Sequence, residues 1–302
     1  MKQLLSACLI IFLFLITLLF PNETLFGASK GLLLWFEIIL PTLLPFLILS
    51  NLLIHTNAIK YISFLIGPVF EKIFGVSKNG SFAILTGFLC GYPIGAKVTA
   101  DLVKTKHISL EEGKYLLSFC NNTSPAFISS YIVLHTFQDE SLLLCTIFIL
   151  YISPFICSFI FKRVYPISIS LNTNSYISAF HFTFSMLDDC IMNAFETITK
   201  VGGYMILFSI FISLGAMTPF LPILPILEIT NGIQYLMKHS IHFSNTYILI
   251  LSLTSFGGLC AIAQTNSMLQ NSGLSIGPYI IEKLITAMVT SLLAFCFTLF
   301  YM

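Results

Sequence analysis

The chain has 302 residues, 57% of them hydrophobic and only 9% charged, with a formal net charge of +1, whereas about a quarter of a soluble domain is charged. This balance excludes a soluble globular protein and, with basic residues scattered, a nucleic-acid binder; it describes an all-α polytopic protein embedded in a lipid bilayer. The eight cysteines (Cys8, Cys90, Cys120, Cys145, Cys157, Cys190, Cys260, Cys296) lie in or beside apolar runs without paired metal-type spacing. They read as small buried residues, and no metal or other cofactor is expected.

Lys2 and the apolar run Leu4 to Phe20 predict a first transmembrane helix, uncleaved because no small-residue cleavage site follows, with a cytoplasmic N-terminus. After Pro21 a short polar segment leads to helix A, about Gly31 to Ile54, kinked by Pro41 and Pro45 and carrying Glu37. Segment B, residues 57 to 75, sets Lys60, Ser63, Gly67 and Glu71 opposite Ile62, Ile66, Val69 and Ile73, which predicts an amphipathic helix lying in the interface. Segment C, about Gly80 to Lys104, is interrupted by Gly91-Tyr92-Pro93-Ile94-Gly95. Segment D, about Ser109 to Phe137, is interrupted by Asn121-Asn122-Thr123-Ser124-Pro125, a helix restart with Ser124 at the N-cap and Pro125 at the first helical position. Segment E runs from Ser141 to Phe161, and a polar linker from about Tyr165 to Ser175 follows. The second half offers A′ (Cys190 to Met217), B′ (Pro219 to Lys238), C′ (Thr246 to Asn271) and D′ (Gly277 to Tyr301).

The halves resemble each other. Phe36-Glu37 and Ser50 in A match Phe195-Glu196 and Ser209 in A′ without a gap, and TGFLCGYPIGAK from Thr86 parallels TSFGGLCAIAQT from Thr254. Lys60, Lys72, Lys78, Lys104, Lys106, Lys114 and Lys162-Arg163 place the entry to B, C and D in the cytoplasm, while Asp139-Glu140 mark an external turn. The arms of C reach ~16 Å as helices, half of a ~30 Å core. The expectation is an inverted repeat with two re-entrant hairpins, C and C′, and a broken transmembrane helix, D. The chain divides into an N-terminal helix and loop (1–29), a first repeat (30–164), a linker or interfacial segment (165–187) and a second repeat (188–302). A rival topology threads B, C, B′ and C′ straight through.

Backbone breaks at membrane depth survive where protein or water covers them, and a half-helix N-terminus presents free N–H groups to an anion. The candidate binding residues are Gly91, Pro93, Gly95 and Lys97 in C, Asn121, Asn122, Thr123 and Ser124 in D, and Gln264, Thr265, Asn266 and Ser267 in C′. Lys97 is the intramembrane cation that invites an anionic ligand; pairing with Asp101 at i, i+4 is its structural alternative. Glu37 and Glu196 hold equivalent repeat positions and are candidates for coupling or gating, although Glu196 has Lys200 one turn on. The enzyme motif HExxH and the nucleotide loop GxxxxGK[ST] are absent from the sequence, so no enzyme is expected.

At GFLCGYPIGAKVTADL followed by SFCNNTSPAF the chain resembles the nucleoside-recognition, or Gate-domain, membrane proteins, and within them the YlbJ/SpoVV sporulation integral membrane proteins. The likeness is best over residues 80 to 135 and continues more weakly through both repeats, which makes them Gate-like. The resemblance implies transfer of dipicolinic acid across the outer forespore membrane, with Gly91 to Lys97 and Asn121 to Pro125 at the first hairpin and broken helix, and Gly257 to Ser267 at the second hairpin. It also implies a small anionic substrate as partner, with a coupling ion, proton or sodium, and room for a homo-oligomer. Three alternatives are a nucleoside transporter, metal passage through Cys90 and Cys260 at the two tips, and a non-transporting sporulation assembly protein.

Overall fold

Prolines and glycines set several of the helix boundaries. The computed structural model describes residues 2–166, 182–216, 221–239 and 242–301, and their regular structure is helical. Helix α1 (Lys2–Leu19) is lipid-compatible on every face. Helix α2 (Pro21–Leu34) starts on a proline whose missing N–H needs no partner. It continues through a wider π-type turn, Trp35–Ile39, into α3 (Leu40–His55). Helix A thus begins ten residues earlier than expected, at Pro21 rather than Gly31. The cause is packing: Gly27 and Gly31 lie so close to Ser209, Ile210 and Ile206 that a side chain has no room there, and the polar segment is held helical against the helix that carries those residues.

Helix α4 (Ile59–Phe74) has the expected amphipathic pattern with an inverted use. Ser63 and Gly67 face the protein while Phe64, Leu65, Val69 and Ile73 face outward. In lipid, large apolar side chains gain nothing by turning inward, and small residues allow close helix contact.

Helices α5 (Gly80–Leu89) and α6 (Ile94–Lys104) form an antiparallel hairpin. Its two ends meet where Asn79 Nδ2 donates to the His107 carbonyl at 3.2 Å. Helix α7 (Leu110–Cys120) starts beside them, capped by Ser109, whose Oγ accepts from the Glu112 N–H; the Glu112 carboxylate accepts from the Ser77 N–H at 2.6 Å. After the Asn121–Pro125 break, a wide helix, Phe127–Phe137, carries the chain to the far end. Helix α8 (Leu143–Val164) returns, bringing Lys162 against Gly75. The loops around residues 57, 75–79, 105–109 and 162–165 therefore share one end, hereafter the basic end.

Helix α9 (Phe184–Gly215), capped by Thr183, runs antiparallel to α2 and α3: Asn51 meets Asn193, Trp35 meets Ile198, and Gly27 meets Ser209. It starts six residues before the expected Cys190; the linker 167–181 and residues 217–220, including the end of A′, lie outside the described residues. A tight turn of helix, Leu221–Ile226, then folds back on α10 (Ile229–His239), which ends beside the wide helix near Thr136. Helix α11 (Phe243–Phe256) starts at the far end, where Phe243 and Tyr247 pack on Phe137. Gly257 and Gly258, with φ of +93° and +75°, break it, and α12 (Gly258–Met268) goes on to the basic end, where Gly273 and Leu274 meet Leu110 and Gly113. Helix α13 (Ile276–Tyr301) runs back, placing Phe297 on Tyr247.

This order corrects the reading of C′. Residues 246 to 271 pass from one end to the other, so α11–α12 is the counterpart of the broken crossing α7–wide helix, in the opposite sense. The second hairpin falls on Leu221–Ile226 and α10, within B′. The carbonyl of its tip residue, Leu227, accepts from the Cys260 N–H at 2.8 Å, and the buried Glu228 caps α10 through the Thr230 and Asn231 N–H groups, each 3.0 Å. Sequence could not separate these cases because Gly-Gly breaks a crossing as readily as it turns a tip. Helices α2–α3, α8, α9, α11–α12 and α13 are each long and apolar enough to cross a membrane.

Candidate functional site

The two broken crossings meet at their breaks, and the first hairpin's tip is wedged between them. Gly91, with φ +89°, turns the chain so tightly against Ser124 that a Cβ would sit 3.0 Å from its N and Cβ. Gly87 and Gly95, one on each arm, close over the Cys120 carbonyl, which would lie 1.7 Å and 2.4 Å from a Cβ at those positions.

Backbone groups freed by the breaks are met by side chains of both halves. Asn121 accepts from the Ala96 N–H (3.2 Å) at the start of α6 and donates to Thr265 Oγ1 (3.0 Å) and the Tyr279 hydroxyl (2.8 Å). The Thr254 and Ser255 carbonyls, released by Gly257, accept from Thr123 Oγ1 (3.2 Å) and the Tyr92 hydroxyl (2.8 Å). Ser124 Oγ accepts from the Phe127 N–H at 3.2 Å, capping the wide helix. Each such bond is worth about 1 kcal/mol net, and losing one buried partner costs about 1–3 kcal/mol, so this junction is sealed by mutual satisfaction.

The cation at the junction is Lys283 on α13. It is 2% exposed. Its Nζ donates to the Asn121 carbonyl at 3.1 Å, lies 3.5 Å from Asn122 Oδ1, and sits 4.9 Å above the Tyr92 ring. Among the described residues no carboxylate lies within 4.0 Å of it.

Of the sequence candidates, Gly91, Gly95, Asn121, Asn122, Thr123, Ser124 and Thr265 are brought together here, with Pro93 in the tip between them. Lys97 is 7% exposed and bound to Asp101 at 2.5 Å, its structural alternative. Gln264 donates to Cys260 Sγ at 3.3 Å, Ser267 is buried on α12, and Asn266 is exposed. Glu37 and Glu196 are exposed on the outer faces of their helices, with Glu196 paired to Lys200 at 2.6 Å. Sequence reading passed over Tyr92, Thr254, Ser255, Tyr279 and Lys283. A signal for Lys283 was present: Glu282-Lys283 is the only charged pair in the apolar stretch Ile276–Tyr301.

Helices long and apolar enough to cross a membrane, with broken crossings around a buried polar junction, describe an integral membrane protein, and residues 36–161 are similar to the Gate family, described as nucleoside recognition. This match spans α3 to α8, the half that holds the first hairpin and the Asn121–Pro125 break. The whole chain is similar to the sporulation integral membrane protein YlbJ of Bacillus subtilis (strain 168), 26% identical over 94% of this chain and 80% of that protein. Both findings agree with the resemblance read from residues 80 to 135. No solved structure matches the chain.

Proposed function

We propose that the chain is a transporter that carries a small organic anion, of the dipicolinate type, across a bacterial membrane during spore formation. The observation that carries this reading is Lys283: a cation buried without a counter-charge is costly, and one held by carbonyls beside a half-helix N-terminus is prepared for an anion. A flat dicarboxylate would take Lys283 with one carboxylate and the first-turn N–H groups of α6, once Asn121 releases Ala96, with the other. The hairpin α5–α6 has arms of 10 and 11 residues, about 15–17 Å, which would bring its tip to mid-membrane from the basic side. Since the polar groups now hold each other, passage requires the two halves to part at the Asn121–Thr265 and Thr123–Thr254 bonds. The relative's name supports the sporulation setting.

Uptake of labelled dipicolinate into proteoliposomes tests this. Lys283→Gln is expected to cut flux at least tenfold, as the loss of a charged hydrogen bond of about 1.5–3 kcal/mol requires. Lys97→Gln, whose partner is already Asp101, should reduce it less. Normal flux in Lys283→Gln protein that inserts and folds would reject the site.

A further inference from the structure

One residue before Lys283, α13 carries a second buried ionisable group. Glu282 is 6% exposed, and its Oε1 accepts a short hydrogen bond from the Tyr165 hydroxyl. Among the described residues no lysine, arginine or histidine lies within 4.0 Å of its carboxylate. The elements packed on α13 supply little else that titrates. Helices α11 and α12 contain no Asp, Glu, Lys, Arg or His. On α7, Glu111 is paired with Lys114 at 2.7 Å and Glu112 is committed to Ser77; on α8, Lys162 and Arg163 are exposed at the basic end. Tyr165, two positions after Arg163, stands half-buried between Glu282 and that end. Burial, and then the Glu282 carboxylate, push its hydroxyl well above the ordinary tyrosine value, so it remains a donor.

We infer that Glu282 is the proton-carrying group that couples anion movement to a proton gradient, with Tyr165 positioning it at the basic end. The inference rests on the transport reading and adds the coupling ion to it. Lys283 attracts an anion, and an ionised Glu282 next to it in the chain opposes that anion across a poorly screened interior. A proton taken up by the carboxylate gives a neutral carboxyl group and removes the opposition. Anion binding and proton binding therefore favour one another reciprocally. A carrier with that linkage moves the two in the same direction, and the proton is returned when the anion leaves.

Two assays separate coupling from transport. In counterflow, labelled dipicolinate exchanges for unlabelled dipicolinate without any ion gradient; in driven uptake, an inward pH gradient accumulates it. Wild-type protein is expected to do both, with acidification of the lumen during uptake. Glu282→Gln should keep counterflow within about twofold while losing accumulation and the pH dependence of uptake. Tyr165→Phe should keep counterflow and shift the pH of half-maximal uptake; it carries the test if Glu282→Gln fails to assemble. Accumulation by Glu282→Gln at the wild-type level, equal loss of its counterflow, an unshifted pH profile in Tyr165→Phe, or wild-type uptake that follows sodium and ignores pH would overturn the coupling role. Absence of wild-type counterflow would instead overturn the transport reading, and the coupling with it.

Discussion

At Gly87 a methyl group has nowhere to go. It would lie 1.7 Å from the Cys120 carbonyl oxygen, a backbone atom fixed between both arms of the hairpin. Gly87→Ala is therefore expected to lower the thermal stability of the purified protein by about 1–3 kcal/mol or more. Gly203→Ala is the control of opposite sign: a Cβ there meets nothing within 4 Å, and replacing a mid-helix glycine gains up to about 1 kcal/mol. Thermal unfolding in one detergent checks both. The lesson for reading sequence is residue-specific. Gly91, Asn121 and Ser124 were legible because a polar, Gly- and Pro-bearing break inside an apolar run announces itself, whereas Lys97 and Lys283 are both buried lysines on helices of the same apolar chain. Only the partner within reach tells them apart: Asp101 for one, carbonyl oxygens for the other.

His107 supplies a prediction at the same scale. In the loop after α6 its ring lies 3.0 Å from Asn57 Oδ1 and 2.7 Å from Thr105 Oγ1. Burial, and secondly His55, hold its pKa below the ordinary 6.5. The unfolded chain thus takes up this proton more readily than the folded one, so stability rises with pH across that range. The contribution is fully present above about 6.5 and declines as pH falls through the lowered folded value. His107→Asn should flatten the dependence of melting temperature on pH below about 6.5; an unchanged slope would rule the histidine out as its source.

Among the elements, the broken crossings were legible to different degrees. Ser124-Pro125 is a helix-start signal that depends on local chemistry alone, and the cap forms as that chemistry requires. Gly257-Gly258 is also a break, but its direction depends on what receives the exposed ends. Leu227 supplies a carbonyl to the start of α12, and Tyr92 and Thr123 take the carbonyls that end α11, so the chain continues instead of folding back. The amphipathic pattern of α4 left open which of its faces packs on the protein. Its periodicity was plain, but in lipid the buried face is the one with small residues, here Ser63 and Gly67.

For the whole molecule the arrangement of ends is the testable statement. In a cysteine-free background, single cysteines at exposed Thr105 and Gln270 should react with an impermeant maleimide from one side of the membrane, and those at Glu140 and Lys238 from the other. Labelling of position 270 together with 140 would mean that residues 246 to 271 return to the side they entered from, and would restore the hairpin at C′.

Composition, hydropathy and the two polar interruptions were enough to establish a helical membrane protein with a break at Asn121–Pro125, because lipid compatibility and helix starts are set by residues a few positions apart. Which cation stands at the junction, which glycines turn a tip and which interrupt a crossing, and which half closes each free N–H or carbonyl were decided by contacts between residues such as Asn121 and Thr265, 144 positions apart. No local rule encodes such pairs; in an apolar solvent the requirement that every exposed peptide group find a partner selects them.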